Sequence, residues 1–123
     1  MKKGKAVKAK SGYDFEEDIF SARPLKRKYD SSVQIGNFIF DIDKKGKING
    51  FEILNASKIF GIPKLLLKNM ISGKMDIEVN DKFIRVEINI KSLIRNAHKS
   101  SALSVERVRP EFIKPAELKL AVA

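Results

Sequence analysis

Apolar and polar residues alternate most regularly in two stretches of the chain, and both read as β-hairpins. Between residues 33 and 43, Phe38, Phe40 and Ile42 alternate with Ile39, Asp41 and Asp43, the period of two of a half-buried strand. Residues 43–47 (Asp-Lys-Lys-Gly-Lys) make a turn, with Gly46 suited to its left-handed position. Residues 48–54 return as a strand rich in Ile and Phe. The second hairpin sets Met75, Ile77 and Val79 against Asp76 and Glu78, turns at Asn80-Asp81, and returns with Ile84, Val86, Ile88 and Ile90 on one face. Between the hairpins the period changes. Asn55 reads as an N-cap for a short helical turn over residues 56–60, and Gly61 as its left-handed C-terminal stop. Pro63 suits the first position of a second helix, which continues to Ile71 and ends at Gly73. There Leu66/Met70 and Leu67/Ile71, four apart, mark the buried stripe.

The remaining segments carry weaker patterns. Ile19 and Phe20 open a short N-terminal strand, and Pro24 suits a loop or an edge strand. Residues 91–101 read as a polar linker and 103–108 have the composition of a further strand. Pro115 reads as the start of a short terminal helix containing Leu118 and Leu120. The expected fold is α+β: an antiparallel sheet of about five strands, made of two hairpins and a short N-terminal strand, with a broken helix packed on one face.

Length and charge add an organisation to this pattern. A chain of 123 residues is one domain by size. Its expected parts are a basic N-terminal arm (1–12), an α+β core (13–90) and a basic C-terminal extension (91–123). The absence of Cys excludes disulfides and thiolate metal sites, and a single histidine, His98, excludes imidazole clusters. The lysine-rich start lacks the apolar segment of a secretory signal. No run approaches the roughly 20 apolar residues of a spanning helix, so no membrane contact is expected and a cytoplasmic location is.

The formal net charge is +10, which favours association with polyanions. The cations are grouped: Lys2, Lys3, Lys5, Lys8 and Lys10 in the arm, Arg23, Lys26, Arg27 and Lys28 before the first hairpin, Lys64 and Lys68 on one helix face, and Lys91, Arg95 and Lys99 with Arg107 and Arg109 towards the C-terminus. Such groups neutralise phosphates and release counterions without reading base sequence. Tyr13 and Tyr29, next to basic segments, are the candidates for stacking on bases.

No catalytic set emerges. Asp41, Asp43, Gly46 and Glu52 fall at positions one, three, six and twelve of a calcium loop, but position five is Lys45 and the flanks are strands. Asp41 and Asp43 share a strand face, and Glu52 joins them in one of two hairpin registers. Three such carboxylates could hold magnesium for phosphoryl chemistry; the simpler reading is a solvated face balanced by lysines. A lone His98 supports no catalytic pairing, and no glycine loop for phosphate is present. No cofactor is expected.

The passage Phe38-Ile39-Phe40-Asp41-Ile42-Asp43-Lys44-Lys45-Gly46-Lys47-Ile48-Asn49-Gly50-Phe51-Glu52-Ile53-Leu54-Asn55-Ala56-Ser57-Lys58 resembles one family. It is the domain-of-unknown-function family twenty-two eighty-three. The resemblance starts at a Tyr-Asp-x-x-x-Asp segment, here Tyr13-Asp14 to Asp18, closes on Glu-Ile-Leu-x-Ala-Ser, and covers about residues 13–60. One departure is the weakly β-like run after the Tyr-Asp segment, which implies a short first strand. The resemblance implies a fold and no activity; the association of some members with toxin-like proteins implies an antitoxin-like role by analogy.

The expected function is a non-enzymatic binding module associated with nucleic acid, RNA or DNA, or with a ribonucleoprotein, through the basic arms. The alternative is a protein-interaction module, an antitoxin-like partner or a homo-oligomer, extended through open strand edges. A metal-dependent hydrolase is the distant third.

Overall fold

In a computed structural model the described residues are 6–26 and 29–123, and they form nine strands and two short helices. The strands are β1 (Val7–Asp14), β2 (Ile19–Pro24), β3 (Ser31–Ile35), β4 (Phe38–Ile42), β5 (Ile48–Ile53), β6 (Met70–Val79), β7 (Phe83–Ile94), β8 (Ala97–Val108) and β9 (Ala116–Val122). Between β5 and β6 lie α1 (Ala56–Phe60) and α2 (Lys64–Lys68). All nine strands belong to one sheet in the order β3-β4-β5-β2-β1-β9-β6-β7-β8. Every pairing is antiparallel except β1 with β9, which run parallel over Val7↔Leu120 and Lys8↔Ala121.

This corrects the expected fold class. The protein is mainly β, and its sheet is mixed, curled and nearly twice as wide as the five strands expected. The curl gathers the inward side chains into one core. On one half, Phe20, Ala22, Phe38, Phe40, Phe51 and Ile53 are buried; on the other, Met75, Ile77, Val79, Ile84, Val86, Ile88 and Leu120. Each large side chain buried this way contributes about 1.5–3 kcal/mol. Curling also carries Arg107 on β8 across to the opposite end of the sheet, its guanidinium carbon 5.3 Å from the centre of the Phe38 ring on β4.

Both hairpins form as the alternation predicts, β4 with β5 and β6 with β7. The reversals carry the expected chemistry: Gly46 has φ +81°, and Asn80 Oδ1 accepts from the amides of Lys82 and Phe83. The long strand expected over 33–43 is two strands, because Gly36 (φ +59°) and Asn37 reverse the chain between β3 and β4. Gly50 has φ +140°, and a Cβ there would stand 3.0 Å from Asp41 Oδ2 and 3.2 Å from Arg23 Cβ. Gly50→Ala should therefore lower stability by more than about 1 kcal/mol in urea titration, since strain and contact add.

Three further expectations fail for physical reasons. The expected basic arm is a strand from Val7 onward: β1 buries only Ala9, and its place between β2 and β9 supplies the backbone pairing its side chains do not advertise. The linker of 91–101 is the outer part of a long β7–β8 hairpin, turned by Arg95 and Asn96, both at positive φ (49° and 61°). The terminal helix is β9, whose Leu118, Leu120 and Val122 stand two apart and pair with Ile77, Met75 and Gly73.

The broken helix exists, with different ends. Gly61 caps α1 in the left-handed conformation (φ 68°) as expected. Asn55 makes no side-chain cap; it is itself left-handed (φ 55°). Pro63 is the cap of α2 rather than its first residue, and α2 stops at Lys68, so Gly73 lies inside β6.

Candidate nucleic-acid interface

Alternation along each strand sorts the charged side chains onto the outer, solvent side of the curled sheet. On β1, Lys8 and Lys10 flank the buried Ala9 and are exposed. Register places Lys10 opposite Arg23 on β2, and Lys8 opposite Ala121 on β9. Ala121 is followed across the sheet by Lys74 on β6, Asn89 on β7 and Ala102 on β8. One step along, Ser72, Lys91 and Ser100 form the next row. Lys26 is exposed just beyond β2, and the amide of Leu25 donates to the carbonyl of Lys8 (3.2 Å).

The same solvent side becomes acidic toward the β6–β7 turn. One row there reads Lys119, Asp76, Glu87 and Ser104; the next reads Glu117, Glu78, Arg85 and Glu106. The five carboxylates have weak local compensation: Arg85 meets Glu106 at 3.4 Å and Lys119 meets Asp76 at 4.0 Å. Burial, and then the nearby charges of Glu117, Glu78 and Glu87, raise the carboxyl of Asp76 above its ordinary range despite Lys119. A raised folded value means a contribution that favours the fold below the unfolded value of about 3.9 and is lost as pH rises. Asp76→Asn should accordingly melt higher than wild type at pH 7, with the gain absent near pH 3.

The other expected basic residues do not join this surface. Lys64 and Lys68 place their ammonium groups 5.3 and 5.1 Å from the centre of the Phe15 ring, beside the acidic β1–β2 turn, and Lys64 Nζ donates to the Phe15 carbonyl (3.1 Å). Arg95 forms the far hairpin turn, and Lys99 is exposed near it. Arg107 packs on Phe38, and Arg109 donates to the carbonyl oxygens of Asp81 (3.0 Å), Pro110 (3.4 Å), Glu111 (3.3 Å) and Ile113 (2.7 Å), so both arginines hold the fold. Lys2, Lys3, Lys5, Arg27 and Lys28 lie outside the described residues. Reading residues 91–101 as a linker hid the second basic row: only the β6–β7–β8 register shows that Ser72, Lys74, Asn89 and Ser100 neighbour Lys91.

Of the carboxylates of the first hairpin, Asp43 serves the backbone. Asp43 Oδ1 accepts from the amides of Lys45 (2.8 Å) and Lys47 (3.0 Å), closing the turn. Asp41 is buried and accepts from Ser32 Oγ (3.2 Å), while Glu52 stands opposite Ile39 and Ser21. Among the described residues no group of three or more His, Cys, Asp or Glu side chains could hold a metal ion. His98 is exposed beside the far turn of the β7–β8 hairpin.

One buried polar cluster was not anticipated. Asp18, itself at φ +56°, accepts from Tyr13 Oη (2.6 Å), the Ser57 amide (3.0 Å) and Ser57 Oγ (2.7 Å). Its carbonyl takes the Ala56 amide (2.9 Å). Asp18 thus supplies the side-chain acceptor that the N-cap residue Asn55 does not, from 39 residues away. Burial alone would raise its carboxyl, but the hydrogen bonds from Tyr13 and Ser57, with the charge of Lys64, hold it below the ordinary range. The Tyr13 phenol is pushed upward, by burial first and then by its bond to Asp18. Tyr13 is therefore engaged inside the fold, whereas the Tyr29 ring is exposed.

These residues are the ones that carry the family resemblance, and the comparisons agree. Residues 10–57 match the family described as "Protein of unknown function (DUF2283)". An uncharacterized protein of Methanocaldococcus jannaschii is 32% identical over 90 residues, covering 72% of this chain and 78% of that one. The chain belongs to the DUF2283 family. A protein of Methanosarcina mazei, provisionally named a hypoxanthine phosphoribosyltransferase, is 34% identical over 87 residues and 71% of each chain. No solved structure matches significantly. The DUF2283 match runs from β1 to the start of α1, so it spans the Tyr13–Asp18–Ser57 cluster and leaves β6 to β9 outside. No described helix is long and apolar enough to cross a membrane.

Proposed function

We propose that this DUF2283 protein is a non-enzymatic binding module of the cytoplasm that associates with nucleic acid, or with the nucleic acid of a ribonucleoprotein, through phosphate contacts. The observation that carries the reading is the register of the sheet, which sets Lys8, Lys10, Arg23, Lys74 and Lys91 on one part of the solvent side. The net charge of +10 supplies the long-range attraction. In fluorescence anisotropy with a 20-nucleotide RNA, log affinity should fall linearly with log salt, by about 0.7 per phosphate neutralised on a single strand. Salt-insensitive binding, or none at 50 mM salt, would refute the reading. The transferase name of the Methanosarcina mazei relative belongs to that protein; basic rows and an open sheet edge support binding rather than group transfer.

A second reading, a protein-interaction module such as an antitoxin-like partner or a homo-oligomer, rests on β8. That strand of 12 residues ends the sheet and pairs only with β7 among the described strands. Such an edge can accept another strand. Light scattering across a concentration series tests the homo-oligomer directly.

A further inference from the structure

A shallow trough of about 490 Å³ crosses the basic part of the sheet. Its sides are two neighbouring rows, Lys74 with Asn89 and Ser72 with Lys91 and Ser100. The small residues Ala121 and Ala102 end the Lys74–Asn89 row, so no bulky side chain stands there, and the backbone of Gly73 lies between the two rows. The trough runs across strands β9, β6, β7 and β8, a span of about 14 Å at the usual strand spacing. Lys8 stands at its β9 end, opposite Ala121, and Lys10 and Arg23 continue the basic surface beyond it.

We infer that this trough seats the phosphates of a single nucleic-acid strand, which crosses the sheet from Lys10 and Lys8 to Lys74 and Lys91. The inference rests on the nucleic-acid reading above and adds the place and the path. Three features support it. Lys74 and Lys91 stand in adjoining rows of a depression whose outward polar side chains, Ser72, Ser100 and Asn89, are hydrogen-bond donors suited to phosphate oxygens. The floor carries no aromatic side chain, so the contact is with the backbone of the strand and not with stacked bases. The acidic rows next to it, with Asp76, Glu78, Glu87 and Glu117, repel a polyanion and confine it to the basic rows.

The test uses the full chain, the same 20-nucleotide RNA and a salt series. Lys74→Glu/Lys91→Glu should weaken binding by tenfold or more and lower the salt slope by about 1.4, two single-strand phosphate contacts. Glu78→Gln/Glu87→Gln should tighten it. Lys64→Glu/Lys68→Glu, with the same charge change at a remote site, should act several-fold less. Melting curves within a few degrees of wild type show that the variants are folded. If the trough variant binds like wild type while Lys8→Glu/Lys10→Glu does not, the trough is overturned and the nucleic-acid reading stands. If the two double reversals at 74/91 and 64/68 weaken binding equally, net charge alone explains the effect and the trough is again overturned. If the wild-type chain does not bind RNA, the broader reading fails and takes this inference with it.

Discussion

Phe40→Asp leaves the protein unfolded at neutral pH. Phe40 is fully buried, pairs across the hairpin with Phe51, and stacks on Phe38 with ring centres 5.7 Å apart. The substitution removes about 1.5–3 kcal/mol of apolar burial. It also places a carboxylate where no donor replaces water, a penalty of several kcal/mol. Together these reach the 5–15 kcal/mol that holds a typical domain folded. Circular dichroism should show loss of the strand signal and no cooperative melt. A melt within a few degrees of wild type would refute the placement of the core. Phe40→Leu, which keeps most of the volume, should remain folded and lose about 1.5 kcal/mol or somewhat more.

Asp18→Ala should lower stability by about 3 kcal/mol, because a helix cap and hydrogen bonds to a buried charge disappear together. Three donors from Tyr13 and Ser57 then face an empty site. Asp18→Asn separates charge from geometry, since asparagine tolerates the left-handed backbone that Asp18 adopts. The carboxyl is held below its ordinary value in the folded state. Its stabilisation is therefore present above the unfolded value of about 3.9 and is lost as pH falls through the folded value. Urea titrations should show the gap between wild type and Asp18→Asn wide at pH 7 and closing below about pH 4. A gap independent of pH would mean that the charge of Asp18 contributes nothing.

The cluster also gives the family signature a physical meaning. Tyr13 and Asp18, five residues apart, meet Ser57, 39 residues beyond Asp18, at the first turn of α1. Local rules favour Asn55 as the cap. Asn55 lost that role because its own backbone turns left-handed, leaving the free amides to a carboxylate from β2's approach. Local preference proposes the Asn55 carboxamide; tertiary packing supplies the Asp18 carboxylate instead.

Of the candidate interface, Lys8, Lys10, Arg23 and Lys91 could be named from the sequence, and their grouping could not. Lys10 and Arg23 become neighbours only through the β1–β2 register. Lys74 is not among the basic residues that the sequence singles out; β9, paired between β1 and β6, brings Lys8 within two strands of it. Conversely, Arg107 and Arg109 read as phosphate ligands by type, yet their guanidiniums are spent on an aromatic ring and on carbonyl oxygens.

The two central hairpins, the turns at Gly46 and Asn80, the broken helix, the family and the positive charge are legible in the chain alone. Those features depend on contacts within a few residues or on side-chain alternation, so they are written locally. Tertiary pairing makes β1 and β9 strands, extends the expected strand of 103–108 back to Ala97 as β8, and joins all nine in one curled sheet. Such strands take their stability from backbone pairing with segments distant in the chain, and a backbone donor or acceptor has no residue type to announce its partner.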